Sequence, residues 1–169
     1  MPWTPRFPNM DFGEPILANL ERIFKRDQVA ALTWANGNVA MTAFERILQC
    51  ERVSDKFPSL AVFPVADAPK LNEEALFIDQ ELRVSVEIAV SSTKPNDLAL
   101  ELLKRVKAVR QMVLTADEAD LLLNVGTPHG GLELEIGRAV YEQVREHVTN
   151  KGQYYRSAFC TFTFKFTQA

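Results

Sequence analysis

An α+β fold, with a mostly antiparallel sheet packed on one face by a long helix and an N-terminal helix, is what three observations predict. Leu82, Val84, Val86, Ile88 and Val90 alternate with Arg83, Ser85, Glu87 and Ala89, the period of a strand with one buried and one wet face. Leu98, Leu102, Val106, Val109 and Val113 then recur at helical spacing behind Thr93-Lys94-Pro95-Asn96. Short turn signals between the remaining strand candidates favour hairpins over crossovers, hence antiparallel pairing. At 169 residues the chain fits one domain. It divides into a Pro-rich arm over residues 1–14 and a single α+β domain over 15–169.

Pro2, Pro5 and Pro8, with Trp3 and Phe7 between them, resist both helix and ladder pairing, so the arm is no core element. Ile16, Leu17, Leu20, Ile23 and Phe24 mark an amphipathic helix with Pro15 in its first turn, ending near Arg26, where Lys25 and Arg26 suit exposed carbonyls. Trp34-Ala35-Asn36-Gly37-Asn38 reads as a turn. Thr42 to Val53 reads two ways: Thr42-Ala43-Phe44-Glu45 as a capping box for a short helix, or Phe44, Arg46, Leu48 and Cys50 as one face of an irregular strand, which is favoured. Ser59 to Val65, bounded by Pro58 and carrying Pro64, has the size of a buried or edge strand. Ala66 to Asn72, polar and holding Pro69, reads as a loop into the alternating strand.

The helix after Pro95 should be about 30 Å long at 1.5 Å per residue, with Glu101 four before Arg105 as surface support. Thr115-Ala116-Asp117-Glu118 is a second possible capping box, opening a short helix through Leu121 to Leu123. Gly126 to Gly131 breaks the pattern. Leu132 to Val148 is a mixed strand candidate. Asn150-Lys151-Gly152 is a hairpin signal into Ser157 to Phe166, where Cys160, Phe162, Phe164 and Phe166 share one face and Phe159 falls opposite.

Composition narrows the function. Nineteen basic against 22 acidic side chains leave a net charge of −3, which argues against a dedicated nucleic-acid binder. Cys50 and Cys160 stand far apart, so they read as reduced, buried thiols rather than a zinc or disulfide framework. No apolar run is long enough for a bilayer, and the amino terminus lacks a secretory pattern.

Few residues are spaced for chemistry. His129, in Gly126-Thr127-Pro128-His129-Gly130-Gly131, lacks the Lys-Ser/Thr ending of a phosphate cradle, and His147 reads as a solvated or interfacial imidazole. Asp117, Glu118 and Asp120 read as helix-start carboxylates rather than a cation site. Lys104, Arg105, Lys107 and Arg110 form a basic strip on the long helix, read as a solvated face with capacity for an acidic neighbour. The closing aromatic strand, with Tyr154 and Tyr155 upstream, is open between core and a surface covered by a partner. No catalytic, cofactor or metal set is expected.

The ordered features Ile16 to Lys25, Phe44-Glu45-Arg46, Phe57-Pro58-Ser59-Leu60-Ala61-Val62-Phe63, Leu82 to Val90, the turn at Pro95 with its helix, and Gly152-Gln153-Tyr154-Tyr155-Arg156 leading into Phe159 to Phe166 resemble the tail terminator or tail completion proteins of long-tailed bacteriophages. The resemblance spans Pro15 to Phe166, while the arm and Asp27 to Met41 have no counterpart. It implies a virion structural protein without catalysis, assembled in the host cytoplasm. Such a protein forms a ring, usually of six copies, at the head-proximal end of the tail tube. The ring ends tube polymerisation and joins the tail to the neck at the head-tail junction. Its partners would be copies of itself, the tail tube protein and a neck or head-completion protein, with genomic DNA passing the lumen and no membrane involved. Interface candidates are Trp3, Phe7, Lys70, Glu73, Phe77, Lys104, Arg105, Tyr154 and Tyr155. The alternatives are another neck or minor tail protein, or a small-ligand-binding α+β domain.

Overall fold

The computed structural model describes residues 3, 12–50, 56–72, 77–125 and 129–168, with the backbone alone at 129 and 168. Helix α1 (Gly13–Ala35), strand β1 (Arg46–Leu48), β2 (Ser59–Asp67), β3 (Lys70–Asn72) and the long β4 (Phe77–Ser92) come first. Helices α2 (Pro95–Thr115) and α3 (Glu118–Leu121) follow, then β5 (His129–Ile136), β6 (Val140–Tyr141), β7 (Arg145–Glu146) and the long β8 (Tyr154–Gln168). Among the described residues the strands make one sheet in the order β1-β2-β4-β8-β5, with β3 on β4 and both β6 and β7 on β8. All pairs are antiparallel except β1 with β2. The α+β class read from the sequence is the class found.

The two long strands pair without interruption from Ile78 opposite Gln168 to Ser92 opposite Tyr154. Successive side chains alternate faces, so the rows Leu82–Phe164, Val84–Phe162, Val86–Cys160 and Ile88–Ala158 point one way. Those side chains are fully or almost fully buried and form one core with Ile16, Leu20, Ile23 and Phe24 of α1 and Leu98, Leu102, Val106 and Val109 of α2. The four aromatic-strand residues Cys160, Phe162, Phe164 and Phe166 are therefore core, and Phe159 is half-buried on the opposite face.

That opposite face is not simply wet, as the alternation in β4 had suggested. Ser85, Glu87 and Ala89 are buried as well. β4 is flanked on both sides, with Phe63 and Phe159 in register beside Ser85 and Glu87. The Ser157 hydroxyl donates to Glu87 Oε1 at 2.9 Å, which meets the requirement that a buried carboxylate be hydrogen-bonded.

Several boundaries differ from expectation. Helix α1 runs nine residues past Arg26, because Ala31, Leu32 and Ala35 carry the inward stripe onward. In the added turns the Gln28 Oε1 accepts from the Phe44 amide at 2.9 Å. Of the expected turn only Asn36 to Asn38 lies outside the helix, with positive φ at Gly37 and Asn38. Phe12, expected in the arm, is core: its ring meets Phe166 edge-on at 4.9 Å.

Thr42 begins no helix. β1 is three residues long; Ile47 within it and Phe44 before it are buried, while Arg46 and, beyond the strand, Cys50 are exposed, unlike the expected face. Thr115 caps nothing: its hydroxyl donates to the Gln111 carbonyl, and Asp117 stands at the start of α3 without a side-chain cap bond. Ala66 to Asn72 is mostly strand, because after the bulge at Pro64/Ala66 the chain keeps pairing with β4 through Asp67, the Ala68 amide and β3. The mixed stretch 132–148 resolves into the later part of β5 and two short strands that take turns along β8.

Candidate functional site

Each member of the basic strip of α2 contacts another part of the molecule, although Lys107 is also exposed. Helices α1 and α2 run antiparallel, so Lys104 meets Asn36 past the end of α1 and donates to its Oδ1 at 2.6 Å. Lys107 lies 4.2 Å above the Trp34 ring, and Arg110 donates to the Gly137 carbonyl at 2.9 Å. Arg105 is 1% exposed, which removes it as an interface candidate. Its guanidinium contacts Glu101 Oε1 at 2.9 Å through both Nε and Nη2, donates from Nη1 to the Thr42 carbonyl and sits over the Phe44 ring. Burial pushes its pKa down, with Glu101 pulling the other way. The spacing to Glu101 was visible in the sequence. What was missed is that segment 42–44 folds over the pair.

The acidic cluster is likewise engaged. Asp120 accepts from Arg22 at 3.2 Å and from Arg26 at 2.8 Å, joining α3 to α1. Arg26 first and Arg22 second hold its carboxyl below the ordinary carboxylate range. Asn19 reinforces the same junction by donating to the Leu121 and Leu123 carbonyls, each at 2.8 Å. No group of His, Cys, Asp and Glu among the described residues is arranged to hold a metal ion.

Two surface features remain. At one end of the sheet, Lys70, Asp79, Glu81, Glu133 and Lys165 surround a groove of about 570 Å³ next to Gly130 and Gly131. At the other end, Phe57, His147 and Tyr155 form a cluster, with the His147 ring edge-on to Phe57 at 5.6 Å and 5.2 Å from Tyr155.

No protein-family model matches the chain, and no curated protein matches it. A solved chain from the virion of a native gene transfer agent particle aligns with 90% of this chain and 94% of its own length, at 12% identity and a TM-score of 0.47.

The remaining interface candidates are scattered. Trp3 is 85% exposed. Lys70 is exposed on β3, opposite Asp79, and Phe77 is half-buried at the start of β4, opposite Asn72, so these two share one corner of the sheet. Tyr154 packs half-buried against the core, and Tyr155 lies at the far end with Phe57. Phe7 and Glu73 lie outside the described residues. Of the two cysteines, Cys160 is buried as expected and Cys50 is exposed. No helix among the described residues is long and apolar enough to cross a membrane. The exposed leucines 100, 103 and 114 of α2 escaped notice in the sequence, although their spacing of three and eleven on a helix places them on a common face.

Proposed function

We propose that the chain is a virion structural protein without catalysis, which closes with copies of itself into a ring at the head-proximal end of a phage tail tube. There it ends tube polymerisation and joins the tail to the neck, and genomic DNA passes through its lumen. The observation that carries this reading is the arrangement of the motifs that resemble the tail terminators. The opening helix, the proline-led strand, the long alternating strand, its helix and the aromatic closing strand all build onto a single sheet and core.

A ring needs a heterologous contact, in which one surface of a subunit meets a different surface of the next. The chain has the material for this. Its helices lie on one face of the sheet, and a charged groove and a corner with exposed Lys70 and half-buried Phe77 lie at one end. Within the acidic cluster, Asp120 is engaged in joining α3 to α1 through Arg22 and Arg26. The corner at Lys70 and Phe77 is assigned the axial contact with tube or neck.

The test adds purified protein to polymerising tube subunits and measures tube length by electron microscopy. Capped ends and bounded lengths are expected, and Phe77→Asp should abolish capping while leaving the fold intact by circular dichroism. Unlimited tubes with unlabelled ends, in the presence of folded wild-type protein, would overturn the reading.

A further inference from the structure

The outer face of α2 is unusual for a surface helix. Leu100, Leu103 and Leu114 are 58%, 53% and 58% exposed, and the stripe they define is about 21 Å long at 1.5 Å per residue. Surface leucines are ordinary singly, but three on one helix face, with Lys107 and Arg110 between Leu103 and Leu114 and the half-exposed Trp34 ring alongside, make a mixed apolar and basic surface of the kind that partners cover. From Leu102 to Thr115 the helix carries no carboxylate, and with Arg105 buried the cations left on its outer side are Lys107 and the half-buried Lys104 and Arg110. Lys107 stands exposed within the stripe itself.

The opposite chemistry is found on the same chain, on the sheet face turned away from the helices. There the rows are Asp79–Thr167, Glu81–Lys165–Glu133 and Arg83–Thr163–Glu135, which makes four carboxylates against two cations. Further along the same face, Phe63 and Phe159 are half-buried and Val140, opposite Phe159, is exposed. Six residues of β8 separate the Phe159 row from the Lys165 row, a distance of about 20 Å. The aromatic lip and the acidic end are thus as far apart as the two ends of the α2 stripe.

We infer that the basic, leucine-lined outer face of α2 docks on the acidic, aromatic-lipped sheet face of a second copy of this chain. The contact is heterologous, so it propagates from copy to copy, and it rests on the ring reading above only for its closure into a ring. The leucines supply apolar burial against Phe63, Phe159 and Val140. The lysines, facing Glu81, Glu133 and Glu135, set register and orientation.

The full chain is measured by sedimentation velocity as wild type, Leu103→Ser, Lys107→Glu, Glu133→Lys and the double Lys107→Glu/Glu133→Lys, with each fold checked by circular dichroism. Wild type is expected to associate, and each single variant should associate at least tenfold more weakly. The double variant should return part of the way towards wild type, because positions 107 and 133 again carry opposite charges. A wild type that stays monomeric at millimolar concentration overturns the inference. So do single variants that associate normally, a double variant that is not restored, and a monomer that instead floats with anionic phospholipid vesicles. If the pattern is as expected but the assembled protein fails to cap tubes, the self-contact stands and the tail reading falls. If tubes are capped equally by all variants, the tail reading stands and this interface falls.

Discussion

Replacing Arg105 separates a structural ion pair from a contact residue. The side chain is 1% exposed, so truncation to Ala empties a fully enclosed space, and large-to-small changes of that kind cost about 2–5 kcal/mol. The Thr42 carbonyl loses its 2.9 Å donor, which adds about 1–3 kcal/mol if it stays dry. Glu101 is 30% exposed, so its freed carboxylate rehydrates and escapes the full penalty of a stranded buried charge. Because the 42–44 segment can close on part of the gap, Arg105→Ala should destabilise by about 3–4 kcal/mol, and by roughly 10 °C in Tm for a chain of this length. Arg105→Met keeps most of the volume and no longer dehydrates a cation, so it should lose only about 1 kcal/mol. Urea unfolding followed by tryptophan fluorescence and circular dichroism reads both. A wild-type midpoint for Arg105→Ala, combined with lost assembly, would refute the structural assignment. Equal losses for Ala and Met would show that charge rather than packing carries the site.

Asp120 provides a pH test. Its folded pKa lies below the unfolded value near 4, so the stabilisation it brings is present above that value and is lost as pH falls through the folded pKa. Between pH 5 and 3 the Tm of wild type should therefore fall more than that of Asp120→Asn, and parallel curves would contradict the link between α1 and α3. Cys160 is pushed up to about 11 by burial, whereas Cys50 is exposed. A thiol reagent at pH 8 should accordingly label one cysteine in the native protein and the second only on unfolding; two equally fast reactions would be inconsistent with the buried strand. Phe12→Ala should cost about 3 kcal/mol in urea unfolding, since its ring packs on Phe166. A neutral result would return residue 12 to the arm.

Legibility followed periodicity. The two central strands and α2 carry long unmixed patterns, and Leu82 to Val90 and Leu98 to Val113 fell where expected. The expected end of α1 near Arg26 failed because Lys25 and Arg26, read as cations at exposed carbonyls, pair instead with Glu21, Asp27 and Asp120, partners that one dimension does not announce. The loop expected at 66–72 failed for a related reason. Polar residues on an exposed edge strand and on a loop have the same composition, and only the partner strand distinguishes them. Arg105 shows the limit most clearly. Its spacing from Glu101 announces a surface pair, and nothing local announces the segment 63 residues away that buries it.

The edges of the sheet bear on how any assembly of this chain proceeds. An edge strand with free amides and carbonyls invites pairing with another chain, and natural sheets blunt such edges with proline, bulges, short strands and charge. β1 is three residues long, and beyond it β2 carries Pro64, without an amide hydrogen, beside the register shift at Pro64/Ala66. At the other edge, β5 has a register shift between His129 and Glu133, positive φ at Gly130 and Gly131, and exposed Glu133 and Glu135. Both edges are therefore poor templates for an added strand. Side-by-side extension of the sheet is disfavoured, and the apolar surface still in need of cover lies on the helix side at Leu100, Leu103 and Leu114. Association through faces leaves the strand content of each copy unchanged. The far-ultraviolet spectrum per residue should thus be the same for monomer and assembled protein, and a rise in β signal on association would show that the edges, not the faces, had joined.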